Sequence, residues 1–288
     1  MKVFITGICG TLGTALAKLH KERGDTVTGC TRGEDSLKNW KGERGEFDQV
    51  FIADAVSLAI PHTSIGRLLS KIDRVYHCAA MKHVDLCEAN PGEAMYQNVG
   101  ITEQIALACE EAKVPLVFIS SDKAVYPTGV YGATKLLAEK CVLRLGGSVV
   151  RLGNLIGSSG SVFQLWEDAV ANGQPIKLTH PDMTRYFISV EQAADVIVAH
   201  GTRPLGEPII PANMKVVRMG DVAEWIYNPP QPETNTGADS CIAHRAGMVQ
   251  TIGLRPGETM HQWIDETHCS KDAPRWDINE LLKVAGVV

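Results

Sequence analysis

Short runs of aliphatic and β-branched residues recur through the first half of the chain, separated by longer stretches with helical spacing. Lys2–Thr6, Thr26–Cys30, Gln49–Ala53, Arg74–Cys78, Leu116–Ser120 and Ser148–Leu152 are continuously apolar rather than alternating, the pattern of strands covered on both faces of a parallel sheet. Thr11–Glu22, Gly92–Ala112 and Val130–Leu145 have helical length and apolar periodicity, with Pro91 suited to a helix start. This alternation predicts an α/β fold built on a doubly wound parallel sheet. After Arg151-Leu152-Gly153-Asn154 the rhythm breaks into Gly/Ser-rich loops and shorter elements, with helices expected at Val162–Asn172 and Val190–His200. The stretch from Asn228-Pro229-Pro230-Gln231-Pro232 through Ala238 has loop composition.

Composition narrows the class. The chain has 288 residues, 44% of them hydrophobic, enough for a sizeable core. A net charge of −5 with no Lys/Arg block argues against nucleic acid as a partner. The start, Met1-Lys2-Val3-Phe4-Ile5, runs straight into a glycine-rich turn, too short for a signal peptide, and no membrane-length apolar run follows. Eight cysteines are scattered singly, which suggests free thiols in a reducing cytoplasm. No histidine or cysteine spacing matches a metal site, so no metal is expected.

Gly7-Ile8-Cys9-Gly10-Thr11-Leu12-Gly13 follows the first strand and opens the first helix. Glycines at Gly7, Gly10 and Gly13 let the backbone at Thr11 and Leu12 approach a pyrophosphate at a helix N-terminus, which predicts a Rossmann dinucleotide site. The second strand ends in Cys30-Thr31-Arg32. Thr31 and Arg32 with no acid beside them suit a 2′-phosphate and favour NADP, with NAD as the alternative. Asp54, after the third strand, is placed near the adenine, and Ala79 and Ala80, after the fourth, border the cofactor. Lys82 and His83 follow where the sheet edge opens to substrate. Residues 1–153 are thus expected to form an NADP-binding domain, the chain crossing back near 185–210, and residues 154–288 mainly a smaller substrate-binding lobe.

Tyr131 and Lys135 lie four apart, on one face of a helix, where an ammonium favours the phenolate and makes the tyrosine a base. Asp122 and Lys123 add an acid and a second base, beyond what alcohol oxidation requires. The glycine turn and the Tyr131/Lys135 pair resemble the extended short-chain dehydrogenase/reductases. Ala79-Ala80-Met81-Lys82-His83-Val84, Ser121-Asp122-Lys123-Ala124-Val125, Gly153-Asn154 through Val162, Met183-Thr184-Arg185-Tyr186-Phe187 and Gly253-Leu254-Arg255-Pro256-Gly257-Glu258 further resemble the inverting UDP-N-acetylglucosamine 4,6-dehydratases and their capsular-polysaccharide relatives.

That resemblance implies a redox-neutral loss of water. Tyr131 would take the proton of the sugar 4-hydroxyl as hydride leaves C4, Lys123 would remove the C5 proton, Asp122 would protonate the departing 6-hydroxyl, and hydride would return to C6. The family pattern for the UDP-sugar falls on Lys82, His83, Asn154, Ser161, Arg185, Arg255 and Glu258, with Arg255 the favoured diphosphate ligand. A homo-oligomer is also expected. The chain departs from the pattern at Ala53, at Tyr126-Pro127 where Asn-Pro is usual, and at His180 where an acid is common. A UDP-sugar epimerase and a 5,6-dehydratase are the neighbouring enzyme readings, and a non-catalytic NADP-binding sensor the reading from another class.

Overall fold

In β1 (Lys2–Thr6) the side chains of Val3, Phe4, Ile5 and Thr6 are all inaccessible to solvent. Val3 and Ile5 enter one apolar cluster and Phe4 the opposite one, as period-two alternation requires of a strand covered on both faces. The computed structural model describes residues 1–38, 40, 46–158, 160–200, 206–227 and 249–286. The loop expected at 228–238, Cys241 and Ser159 lie outside them.

Strand and helix then alternate through α1 (Thr11–Glu22), β2 (Thr26–Thr31), α2 (Glu34–Lys38), β3 (Gln49–Ile52), β4 (Arg74–His77), α3 (Val84–Ala89), α4 (Pro91–Met95), α5 (Ile101–Ala112), β5 (Leu116–Ser121), α6 (Val130–Arg144) and β6 (Ser148–Leu152). The six strands pair in parallel in the order β3-β2-β1-β4-β5-β6. The order reverses between β1 and β4, which opens a crevice at their carboxyl ends, the place where doubly wound sheets bind ligands.

The single helix expected at Gly92–Ala112 is instead two, joined by a π turn at Tyr96–Gly100, and a further helix, α3, precedes them. Asn98 supplies the reason. Its buried amide accepts from the Met81 amide at 2.8 Å and donates to the Met81 carbonyl at 3.0 Å and to Thr134 at 3.1 Å. A polar side chain turned inward, with its partners on β4's exit loop and on α6, widens the helix by one residue there.

Beyond β6 the chain forms β7 (Asn154–Ile156), α7 (Val162–Ala171), β8 (Ile176–Leu178), β9 (Thr184–Ser189), α8 (Val190–His200), β10 (Lys215–Arg218), α9 (Met219–Tyr227), β11 (Val249–Thr251) and α10 (Ile278–Ala285). A three-stranded sheet runs β10-β9-β7, and β8 pairs with β11. Along β9, Tyr186 and Ile188 join the core around α1 and α8, while Phe187 joins a separate core with Phe163, Trp166 and Trp276. One strand therefore belongs to two cores, and the segments on either side of it cannot shift independently.

A buried ion pair ties α6 to β6. Arg151 donates to Glu139 from Nε at 2.9 Å and from Nη2 at 2.7 Å, and the Ser120 hydroxyl donates to the same carboxylate at 2.5 Å. Removing one member of such a pair orphans a buried charge, whereas replacing both need not. Glu139→Ala is expected to cost about 3–5 kcal/mol in denaturant unfolding, and the double change Glu139→Leu with Arg151→Met markedly less. Equal losses for the two variants would show that the pair is not what holds α6 to β6.

Candidate active site

The loop after β1 meets the loop after β4. Gly7 has φ of +68°, a conformation L side chains rarely adopt, and a Cβ there would lie 3.0 Å from the Ala79 amide nitrogen. Its own amide donates to the Cys30 carbonyl at 2.9 Å, bringing the β2 exit to the same place. Helix α1 begins at Gly10 with no capping side chain. A turn that excludes a side chain, followed by the positive end of a twelve-residue helix, fits the diphosphate of a dinucleotide.

Thr31 is the last residue of β2 and is buried, its hydroxyl bonded to the Cys9 thiol, while Arg32 directly after it is exposed. The Asp54 carboxylate caps the turn after β3 by accepting from the Val56 amide at 3.1 Å. The Ala79 amide donates to Thr6 at 3.2 Å, and Thr6 contacts buried His77 at 2.7 Å, which reaches Thr102 at 3.0 Å. Burial drives the His77 imidazolium down to about 3, so the ring is neutral and bridges two hydroxyls that set the floor of the crevice.

β5 delivers the groups expected to react. Ser121 ends the strand, and Asp122, Lys123 and Ala124 make one 3₁₀ turn. The Lys123 amine donates to Asp122 Oδ1 at 3.1 Å; the carboxylate is fully buried and the lysine 29% exposed. The Ser121 hydroxyl donates to the same Oδ1 at 2.9 Å and accepts from the Lys123 amide at 3.3 Å. Helix α6 packs against this turn so closely that a Cβ on Gly132 would lie 2.1 Å from the Lys123 carbonyl oxygen. Its neighbour Tyr131 is thereby held beside the pair.

Burial raises the Tyr131 phenol above its ordinary range, a hydrogen bond with Ser121 opposes that, and the Asp122 charge adds to it. One turn on, Lys135 is buried, donates to the Ile119 carbonyl at 2.6 Å and sits 4.0 Å over the Phe118 ring. Burial lowers it to about 8, partly offset by Glu139. Burial, Ser121, Asp122 and Cys87 are thus what shift Tyr131, while Lys135 is directed at the strand end.

A fifth group was not legible in the sequence. The side-chain amide of Gln262, oriented as its neighbours require, donates to Asp122 Oδ2 at 2.6 Å and accepts from Lys123 Nζ at 3.1 Å. Next to it, Trp263 meets Tyr126 edge to face at 5.5 Å between ring centres, and Tyr126 has a positive φ of 44°.

Of the residues expected to hold substrate, three form one electrostatic group. Arg255 pairs with Glu258 at 2.6 Å. Burial would raise the Glu258 carboxyl, but hydrogen bonds from Arg255 and the charge of Arg185 leave it below its usual value. Arg185 itself is buried and spends its guanidinium on the carbonyls of Thr184 at 2.8 Å, Met260 at 3.3 Å and Thr259 at 2.8 Å. Asn154 donates to the Tyr186 carbonyl at 3.0 Å, and Ser161 caps α7 through the Gln164 amide at 3.4 Å. Lys82 and His83 are exposed at the start of α3. Among the described residues no three His, Cys, Asp or Glu side chains converge as metal ligands.

This geometry has relatives. A family model described as "Polysaccharide biosynthesis protein" matches residues 3–276. The chain is 33% identical over 272 residues to an uncharacterized membrane protein, MJ1061, of Methanocaldococcus jannaschii, covering 90% of this chain and 79% of that one; no helix among the described residues here is long and apolar enough to cross a membrane. It is 32% identical to the capsular polysaccharide biosynthesis protein CapD of Staphylococcus aureus, over 90% of this chain but 44% of CapD, so it spans less than half of that relative. To the inverting UDP-N-acetylglucosamine 4,6-dehydratase of Campylobacter jejuni it is 28% identical, covering 92% of this chain and 78% of that enzyme.

Among solved structures, Pen from Bacillus thuringiensis superposes with a TM-score of 0.80 at 25% identity, over 100% of this chain and 98% of Pen. TunA, an NAD-dependent NDP-hexosamine 5,6-dehydratase of tunicamycin biosynthesis, superposes with a TM-score of 0.75 at 18% identity, over 99% of this chain and 96% of TunA, a likeness of fold. With the family match running from β1 almost to α10 and the glycine turn, Asp122-Lys123 and Tyr131/Lys135 all at the carboxyl edge of one sheet, the chain belongs to the polysaccharide biosynthesis protein family and has the Rossmann fold of the extended short-chain dehydrogenase/reductases.

Proposed function

We propose that this protein is an NADP-dependent nucleotide-sugar 4,6-dehydratase that acts on UDP-N-acetylglucosamine and inverts C5. The observation that carries the reading is the buried Asp122 in contact with Lys123 at 3.1 Å, one 3₁₀ turn beyond the strand that also brings Ser121 to Tyr131. An oxidoreductase that only moves a hydride has no use for a second acid and base; an elimination beside a carbonyl needs both.

The chain's own residues then act in sequence. Tyr131 Oη, as the phenolate, takes the proton of the 4-hydroxyl. A nicotinamide held by the glycine turn beside Tyr131 and Lys135 would supply the positive charge that favours this phenolate, together with a hydride acceptor for C4 and a hydride donor for C6. With a ketone at C4 the C5 hydrogen is acidic. A proton passed across the 3.1 Å contact from Lys123 to Asp122 leaves an amine and a carboxylic acid. Lys123 Nζ removes the C5 proton, Asp122 gives its proton to the 6-hydroxyl, and the C6–O bond breaks with release of one water. Reprotonation of C5 from the opposite face gives the inverted 4-keto-6-deoxy sugar. Arg255 and Glu258 recognise the UDP portion, Arg32 the 2′-phosphate of the cofactor.

The test is incubation of the purified protein with UDP-N-acetylglucosamine and NADP in solvent deuterium, read by mass spectrometry and NMR. A product lighter by one water with deuterium at C5 is expected; retention of every oxygen atom refutes dehydration, and arrest at an unsaturated sugar marks a 5,6-dehydratase. Tyr131→Phe should lower turnover by about 10²–10⁴-fold, and Asp122→Asn should slow water loss by a similar factor. Arg32→Ala should weaken NADP about 10- to 100-fold and leave NAD unchanged, since only the phosphate loses a charged hydrogen bond; equal affinities in wild type and variant would make the NADP assignment wrong.

Lys135 also links pH to stability. Its ammonium titrates near 8 in the fold against an ordinary 10.5. Between those values the unfolded chain carries a proton that the folded chain does not, so native stability gains with rising pH across this window. Relative to Lys135→Met, wild type should therefore gain up to about 3 kcal/mol between pH 8 and pH 10.5. Denaturant unfolding of both proteins at several pH values gives this difference directly; a flat difference would mean that Lys135 is not held at a cost.

A further inference from the structure

Gln262 lies far from Asp122 in sequence and is nevertheless built onto it. The residue is buried, and its backbone is fixed in both directions by Ser270: the Gln262 amide donates to the Ser270 hydroxyl at 2.8 Å, and the Ser270 amide to the Gln262 carbonyl at 2.7 Å. Ser270 is in turn bonded to Thr184 on β9 at 2.6 Å. Arg185, beside Thr184, holds the carbonyls of Thr259 and Met260 just ahead of Gln262. Strand β9 thus anchors the segment whose side chain enters the reaction centre.

The amide is matched to that centre. A carboxylate needs a donor and an ammonium needs an acceptor, and a primary amide offers one of each without adding charge. The match survives proton transfer. Lys123 and the Ser121 hydroxyl both meet Asp122 Oδ1, while Gln262 meets Oδ2. With Oδ2 accepting from the amide, the proton that leaves Lys123 is received on Oδ1; the neutral amine keeps an N–H for the Gln262 oxygen. Ser121, released as a donor to Oδ1, is free to turn to Tyr131.

We propose that Gln262 is a positioning residue for the elimination step, assigning the acidic proton of Asp122 to Oδ1 and holding Lys123 Nζ as the base. This rests on the dehydratase reading given above. It predicts separate effects on the two halves of the reaction, because Tyr131 is not among the partners of Gln262.

Gln262→Ala should slow deuterium entry at C5 and water loss from UDP-N-acetylglucosamine by about 10- to 100-fold, the worth of hydrogen bonds to charged groups, acting on kcat more than KM. The near-ultraviolet absorbance rise that reports C4 oxidation should keep its wild-type rate. Gln262→Glu provides the conservative comparison: protonated, it donates and accepts as glutamine does; ionised, it faces Asp122 with a like charge. Water loss in that variant should approach wild type at acid pH and fall as pH rises, a profile that a packing role does not produce. Equal loss of both half-reactions in Gln262→Ala, or a pH-independent defect in Gln262→Glu, overturns the proposal. A crystal structure of Gln262→Ala reads the same claim without substrate: Lys123 should leave Asp122 Oδ1, and an unchanged pair refutes the positioning role. Wild-type protein that releases no water from UDP-N-acetylglucosamine refutes the dehydratase reading alone, since the crystallographic comparison still stands.

Discussion

Everything at the catalytic edge depends on keeping Asp122 and Lys123 in contact where solvent is scarce. Burial penalises both charges, and Coulomb attraction offsets that only when the remaining polar atoms are also bonded. Here they are: Ser121 and Lys123 take Oδ1, Gln262 takes Oδ2, and the Gln262 oxygen takes the ammonium. The strand order delivers Ser121 to the crevice, the glycine in α6 lets that helix close on the turn, and β9 brings Gln262 across. None of these elements is specialised alone.

The same problem is met differently at three other buried cations. Arg151 is neutralised by the two oxygens of Glu139. Among the described residues Arg185 has no carboxylate in hydrogen-bond contact and is satisfied by three backbone carbonyls, a geometry that keeps its charge available to the field acting on Glu258. Lys135 has one carbonyl and an aromatic face. It is the one of the three whose ammonium is brought close to neutral pH by burial.

The parts of this arrangement that could be read from the chain are those encoded locally. Continuous apolar runs located all six strands of the main sheet, because burial on both faces leaves no room for alternation. The four-residue spacing of Tyr131 and Lys135 and the adjacency of Asp122 and Lys123 located the cluster of polar groups at the end of β5. What the local sequence does not show are features whose partners are distant. The π turn at Tyr96–Gly100 exists because Asn98 finds Met81, and nothing within the helix announces it. Arg185, which the resemblance places among the UDP-sugar ligands, spans the carbonyls of Thr184, Thr259 and Met260, two of them far away in sequence. Gln262 is a single uncharged residue in a loop, and only the tertiary fold gives it an acid and an amine to bridge.

On the proposed reaction, that distribution divides the two half-reactions over the molecule. Tyr131, Lys135 and the glycine turn all belong to the main sheet and its helices, so the groups proposed to exchange hydride with C4 would be assembled by that sheet alone. The pair proposed for elimination, Asp122 and Lys123, also starts at β5, but its third and fourth side-chain hydrogen bonds come from Gln262, on the same segment that carries Arg255 and Glu258. Under that reading, a segment that both meets the nucleotide portion and completes the acid–base pair would tie water loss to full engagement of the substrate. Alcohol oxidation is reversible and harmless if a ligand is partly seated; C–O cleavage is not, and the groups proposed for it are the ones that the fold completes from two distant segments.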